Sequence, residues 1–237
     1  MRGGCLDGAR DNVLDLLLAL AAPSPDDVVL DVAIFPSLAA LAVAPSVDWI
    51  VAIADRAEVL EEGQRLVAEV GIDNVEFALA DLLALPYHDR AFSLVLACQA
   101  LNTSPNPQAA LAELCRVTQP GGRVVVVEPV VGDVTADAFN ELARLREPAH
   151  KQYVRVEELI APAEASGLRL RRREAARPSV DLDYWVQTAG ASPAQASLVG
   201  ERFRALPLDV QVALDVAFCD GAVSFSYDVC GLLFERP

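Results

Sequence analysis

Lysine is nearly absent from this chain: Lys151 is the only one among 19 basic residues, set against 34 acidic ones. The resulting net charge of −15 excludes a nucleic-acid partner, because a phosphate backbone needs clustered Lys and Arg. The one basic run, Arg169 to Arg173, is interrupted by Leu170 and reads as a strand with a solvated face. Cysteine pairs at metal-ligand or redox spacing are also missing. The five cysteines are scattered, which points to reduced thiols in a cytoplasmic protein, and two histidines with no acid or cysteine cluster make a metal site an unsuited reading. No apolar run reaches the roughly 20 residues of a membrane helix. The densest, Val13 to Ala22, is broken by Asp15 and stopped by Pro23, so it predicts a packed helix. The first residues lack the pattern of a secretory leader, and no membrane partner is expected.

What is abundant is apolar: 53% of 237 residues, enough for a sizeable core in one domain. Short β-branched runs alternate with helical segments, which predicts an α/β fold with a doubly wound, mostly parallel sheet. Strands are expected at Val28–Val32, Trp49–Ala54, Val75–Leu79, Leu94–Ala97 and Val124–Glu128, with helices at Ala57–Val70 and Gln108–Thr118. The turn Gln119-Pro120-Gly121-Gly122 should stop the second helix and reverse the chain. Helices at Ala136–Arg146 and Val156–Ser166 lead to a strand near Leu168–Arg173. Further helix is expected over Asp181–Ala189 and from Pro193 to Ala217, before a closing strand, Val223–Phe234. The last two strands suit an antiparallel addition at the sheet edge, giving seven strands with Val28–Val32 central. No linker divides the chain, so residues 1–237 are expected to form a single domain.

In such a sheet, ligands bind beyond the carboxyl ends of the strands. These ends carry Asp31, Asp55, Asp81 and the segment Ala97-Cys98-Gln99. Asp81, Leu85-Pro86, Phe92, Pro105-Asn106-Pro107, Ala112-Glu113, Arg116-Val117 and Pro120-Gly121-Gly122-Arg123 follow one another in an order and spacing that resemble class I S-adenosylmethionine methyltransferases. The resemblance is closest to the small-molecule group typified by the ubiquinone and menaquinone C-methylases, and Glu147-Pro148-Ala149-His150 continues it. It implies a Rossmann-like fold, S-adenosylmethionine as cofactor and a small-molecule substrate. It also implies a cofactor-binding half over residues 11–130 and a distal, substrate half over 131–237.

By that resemblance, Asp55 accepts hydrogen bonds from the cofactor ribose, while Asp81 faces the adenine amine with Leu82 beside the ring. Asp31 orders the first loop and the methionine end, and Ala33, Phe35 and Ala97 border the cofactor. Carboxylates at strand ends are suited acceptors for such donors, although each also serves as a turn or cap residue. The loop departs from the family pattern acid-x-Gly-x-Gly-x-Gly, since Ala33, Phe35 and Ser37 stand at its three glycine positions. Glycine lets backbone approach a ligand closely, so a Phe35 ring beside Pro36 predicts weak cofactor affinity. A second reading stays open on that ground: a homologue that has lost the cofactor and works as a cyclase- or isomerase-like pocket, or as a non-catalytic partner. His150 is the candidate catalytic base, against a core-satisfied histidine, and a homodimer is compatible with the sequence.

Overall fold

The computed structural model describes residues 7–33, 38–219 and 222–237. A seven-stranded sheet runs in the order β3-β2-β1-β4-β5-β10-β6. It comprises β1 (Val28–Ala33), β2 (Trp49–Ala54), β3 (Val75–Leu79), β4 (Phe92–Cys98), β5 (Thr118–Val130), β6 (Arg169–Ala176) and β10 (Asp228–Glu235). The first five are parallel, and β10 is antiparallel to both neighbours, β5 and β6. This is the Rossmann-like, mostly parallel sheet with an antiparallel last strand that the residue pattern predicts.

The strands are apolar on both faces because both faces are covered. Successive side chains point opposite ways, so Val124 and Val126 enter one core while Val125 and Val127 enter the other. Helices α4 (Pro107–Val117) and α6 (Glu157–Ala165) cover the first face through Leu111, Leu114 and Leu159. Helices α1 (Asp7–Ala21) and α2 (Leu38–Val43) cover the second through Leu17, Leu20 and Ala40. Gly231 of β10 sets how closely α1 approaches: a Cβ there would lie 2.5 Å from the Leu20 side chain and 2.9 Å from that of Leu16. Helix α3 (Ala57–Val70) ends on Gly71 at φ +71, the left-handed cap that glycine accommodates.

A third cluster, rich in aromatic rings, lies beyond the strand ends. It joins α5 (Ala136–Arg146), α7 (Leu182–Gln187), α8 (Pro193–Arg204) and α9 (Leu208–Ala213) to a small antiparallel sheet, β7-β9-β8. The strands of that sheet are β7 (Ser179–Asp181), β8 (Ala217–Cys219) and β9 (Ala222–Ser226). Phe139 stacks on Tyr153 and Trp185 at centroid distances of 5.2 and 5.7 Å, and Phe203 meets Phe225 at 4.7 Å.

The structure corrects the sequence reading in three places. The run 223–234 is two strands, with Val223 and Phe225 turned into the aromatic cluster and Leu232 and Phe234 into the main core. The two late strands β10 and β6 do form the antiparallel addition at the sheet edge, with β10 paired to β5 and β6 outermost. The helix expected from Pro193 to Ala217 breaks at Pro207, which has no amide to continue it, and Ala217 belongs to β8. The segment 119–122 forms the irregular start of β5, with Gly121 at φ +76, after the helix has ended at Val117.

Candidate active site

Two clefts open at the carboxyl ends of the parallel strands, side by side across the end of β4. The first, about 540 Å³, is lined by Asp55 after β2, Asp81 and Leu82 after β3, and Thr103 and Ser104 after β4. Asp55 and Asp81 are exposed, and Leu82 is half-buried between them and the core. One Asp81 oxygen accepts the Leu83 amide at 2.8 Å, an Asx turn that fixes where the carboxylate points.

The segment carrying Asp81 is held from behind by α4. Glu113 accepts the Leu85 amide at 2.9 Å, and Arg116 donates to the carbonyls of Leu85 and Tyr87 at 2.9 and 2.7 Å. Arg116 also pairs with Glu113 at 2.8 Å and Asp89 at 2.9 Å. Asn106 caps α4 by accepting the Ala109 amide at 3.1 Å, with Pro107 opening the first turn. The family-like positions 85, 106, 107, 113 and 116 thus build one support for the loop that bears Asp81.

The second cleft, about 970 Å³ including its open mouth, is bordered by Cys98 and Gln99 of β4 and by Leu38 and Ala39 of α2. Its far wall is Arg146, Tyr153, Tyr184, Trp185, Thr188 and Tyr227. Asp181 caps α7 by accepting the Tyr184 amide at 3.0 Å, and so aims Tyr184, Trp185 and Thr188 from one short helix. Gln99 holds a left-handed backbone, φ +55, between the two clefts. Strain of this kind in a non-glycine residue concentrates at functional sites.

Beside the clefts lie two buried carboxyls, Asp31 and Glu128, and the half-buried thiol of Cys98. Asp31 accepts the Ala40 amide at 3.1 Å through one oxygen, and its other oxygen has no hydrogen-bond partner among the described residues. Burial pushes its carboxyl up to about 7. Glu128, at the end of β5, accepts the Leu101 amide at 2.8 Å and the Asn102 side chain at 3.0 Å, and burial raises it to about 8. Cys98 is pushed up by burial and then by the carboxyls of Glu128 and Asp31, which places all three together.

Of the remaining sequence candidates, His150 lines neither cleft. It is buried, its ring centroid is 4.3 Å from that of Tyr153, and burial lowers it to about 4. Its Nε2 lies 3.1 Å from the Asn140 Oδ1 that also accepts the Tyr153 amide at 2.6 Å, so Nε2 donates. That is a neutral histidine backing the cleft wall. Ala97 is fully buried in β4 behind Cys98, and Phe35 lies outside the described residues, as do Ile34, Pro36 and Ser37. Sequence reasoning missed Arg146 and the Tyr153–Tyr184–Trp185–Tyr227 wall. Their only signal was aromatic residues recurring in the distal half.

Residues 36–175 match the model of a methyltransferase domain family. A demethylmenaquinone methyltransferase of Clavibacter sepedonicus is 37% identical over 107 residues, covering 45% of this chain and 43% of the relative. The chain therefore aligns with less than half the length of that relative. Among solved structures, the YcgJ protein of Bacillus subtilis superposes with a TM-score of 0.87 at 21% identity, covering 94% of this chain and 97% of that one. A geranyl diphosphate methyltransferase in complex with SAM superposes at 0.66 with 18% identity, covering 94% and 84%. With more than half of its length matched by the family model, the chain belongs to the methyltransferase domain family.

Proposed function

We propose that the chain is an S-adenosylmethionine-dependent methyltransferase acting on a small molecule. The observation that carries this reading is the pairing of a cleft bordered by strand-end carboxylates with an aromatic cleft across the end of β4. Asp55 and Asp81 offer acceptors to the hydroxyl and amine donors of a nucleoside, and Leu82 offers an apolar contact to its base. The buried oxygen of Asp31 that has no partner among the described residues fits a donor from the amino-acid end of the cofactor. When bound, the cofactor supplies an electrophilic methyl group on a sulfonium.

The chain's own contribution is placement. The aromatic wall holds a flat acceptor, and the small sheet with α7 and α8 closes water out behind it. Burial keeps the Tyr153 and Tyr227 phenols protonated, so they act as hydrogen-bond donors and not as bases. His150, buttressing Tyr153 from behind, is a positioning residue. Proximity and alignment alone can supply about 7–11 kcal/mol, so no activated base is required. The second cleft takes its aromatic wall from residues of 131–237 and its opposite side from residues of 11–130, which supports a substrate half built on a cofactor-binding half. Cys98, Cys115 and Cys230 are free thiols, which fits a reducing cytoplasm, and no helix among the described residues is long and apolar enough to cross a membrane. A homodimer is testable by sedimentation.

Calorimetric titration with S-adenosylmethionine and S-adenosylhomocysteine tests the reading. Binding is expected in the wild type, and Asp55→Ala and Asp81→Ala should each weaken it by about 1.5–3 kcal/mol while leaving the fold intact. Absence of binding, or wild-type affinity in both variants, overturns it.

A further inference from the structure

Arg146 is the one feature of the aromatic cleft that placement of an apolar acceptor leaves without a use. It ends α5, is buried to 8% exposure, and still borders the cleft. Its described partners are all neutral. Nε donates to the Trp185 carbonyl at 2.7 Å, Nη2 donates to the Thr188 hydroxyl at 3.3 Å, and the guanidinium lies 4.5 Å over the Trp185 ring. No carboxylate among the described residues stands within ion-pair distance of it. Two helix ends offset part of the charge, since Arg146 closes α5 and donates at the close of α7. Partial dipoles do not neutralise a full charge, and a buried cation is retained at a cost unless something pairs with it. Of the five guanidinium N–H donors, the described hydrogen bonds engage two, so the planar fork keeps donors for a bidentate partner. The overall charge of −15 repels anions from the surface, so an anion that reaches this cleft needs a dedicated cation.

We infer that Arg146 selects the acceptor of this cleft, and that the acceptor is a flat, apolar small molecule carrying an anionic group. The apolar body lies along Tyr184, Trp185 and Tyr227, and the anion pairs with the unused face of the guanidinium. Thr188 holds that guanidinium in its fork orientation. The inference deepens the methyltransferase reading by giving its substrate a chemical class, and rests on it only for what happens after binding.

A matched dye pair tests it without any cofactor. 8-Anilinonaphthalene-1-sulfonate and N-phenyl-1-naphthylamine differ only by the sulfonate. Fluorescence titration in a Trp49→Phe background leaves Trp185 as the sole tryptophan donor, so quenching of Trp185 reports binding in this cleft. The sulfonate dye should bind at least about tenfold more tightly than the neutral one, the reverse of what an uncharged apolar cleft does. Arg146→Gln should abolish that preference while leaving the neutral dye within about twofold. Arg146→Lys should keep part of it, because the charge remains and the fork is lost. Equal affinities in the wild type, no binding of the sulfonate dye, its binding without Trp185 quenching, or parallel loss of both dyes in a folded Arg146→Gln protein would each overturn the inference. If Arg146→Gln does not fold, the wild-type ratio and the Arg146→Lys result decide it. Titration of S-adenosylhomocysteine into Arg146→Gln should give wild-type affinity. Failure of that ligand to bind the wild type sinks the cofactor reading and leaves the dye result standing.

Discussion

At the scale of single residues, Asp31 and Glu128 are acids that burial holds well above the ordinary carboxylate range. Each has a folded-state value, about 7 and about 8, above its unfolded one, so the folded chain binds more protons than the unfolded chain across that interval. Stability is therefore fully present below the unfolded values, near 4, and is lost as pH rises through 7 and 8. Urea unfolding should show wild-type stability falling between pH 5 and pH 8.5. Asp31→Asn should remove on the order of 2–4 kcal/mol of that fall, since an amide still accepts from Ala40 without ever ionising. A pH-independent wild type would refute the assignment. The strand-end acids were legible in the sequence because position in a parallel sheet alone puts Asp31, Asp55 and Asp81 at a ligand edge. Arg146 was not, since an arginine at the end of an amphipathic helix reads as a solvated cation until the ring beneath it is seen. His150 was legible only as a choice between two roles, and its burial and its Asn140 contact could not be read from the sequence.

At the scale of elements, the sheet interior was legible and its additions were not. Runs such as Val124–Val127 are β-branched, apolar and bounded by turn residues, so strand identity follows from local sequence. Which sheet a strand joins does not, because Val223–Phe225 and Leu232–Phe234 look alike to a local reading and part only through the cluster each one covers. Gly231 offers a direct check on how β10 is fitted. Gly231→Ala should cost about 1–3 kcal/mol in urea unfolding, because the new methyl meets Leu16 and Leu20, both already buried by α1. Unchanged stability would show that α1 packs more loosely than its contacts imply. At the other end of the sheet, Asp27 ties Arg123 at 2.5 Å and Ser93 at 2.7 Å. Burial alone would raise that carboxyl, yet the bonds from Arg123, Ser93 and the Ser24 amide outweigh it and hold it below its usual range. Its contribution is present above pH 4 and fades as acid protonates it. Asp27→Asn should destabilise the fold by about 3 kcal/mol at pH 7, and the difference from wild type should shrink as pH falls below the ordinary carboxylate range, measured by the same unfolding.

At the scale of the whole molecule, two clefts on one rim mean that ligand binding and global stability are linked. S-adenosylhomocysteine at 100 times its dissociation constant should add about 2.7 kcal/mol, which for a chain of this size is a rise of about 5–10 °C in Tm. A flat melting curve across that titration would contradict binding to the folded state. The topology has a further consequence, in the order of synthesis. Among the described strands β6 pairs with β10 alone, and β5 meets β10 on the flank away from β4. On the ribosome β6 therefore emerges long before the strand that gives it a place, and the valine-rich flank of β5 waits open beside it. A nascent strand in that position is a template for intermolecular pairing. Its arginines at 169, 171, 172 and 173 then act as gatekeepers, keeping the waiting strand in solution until Asp228–Glu235 arrives to separate it from β5.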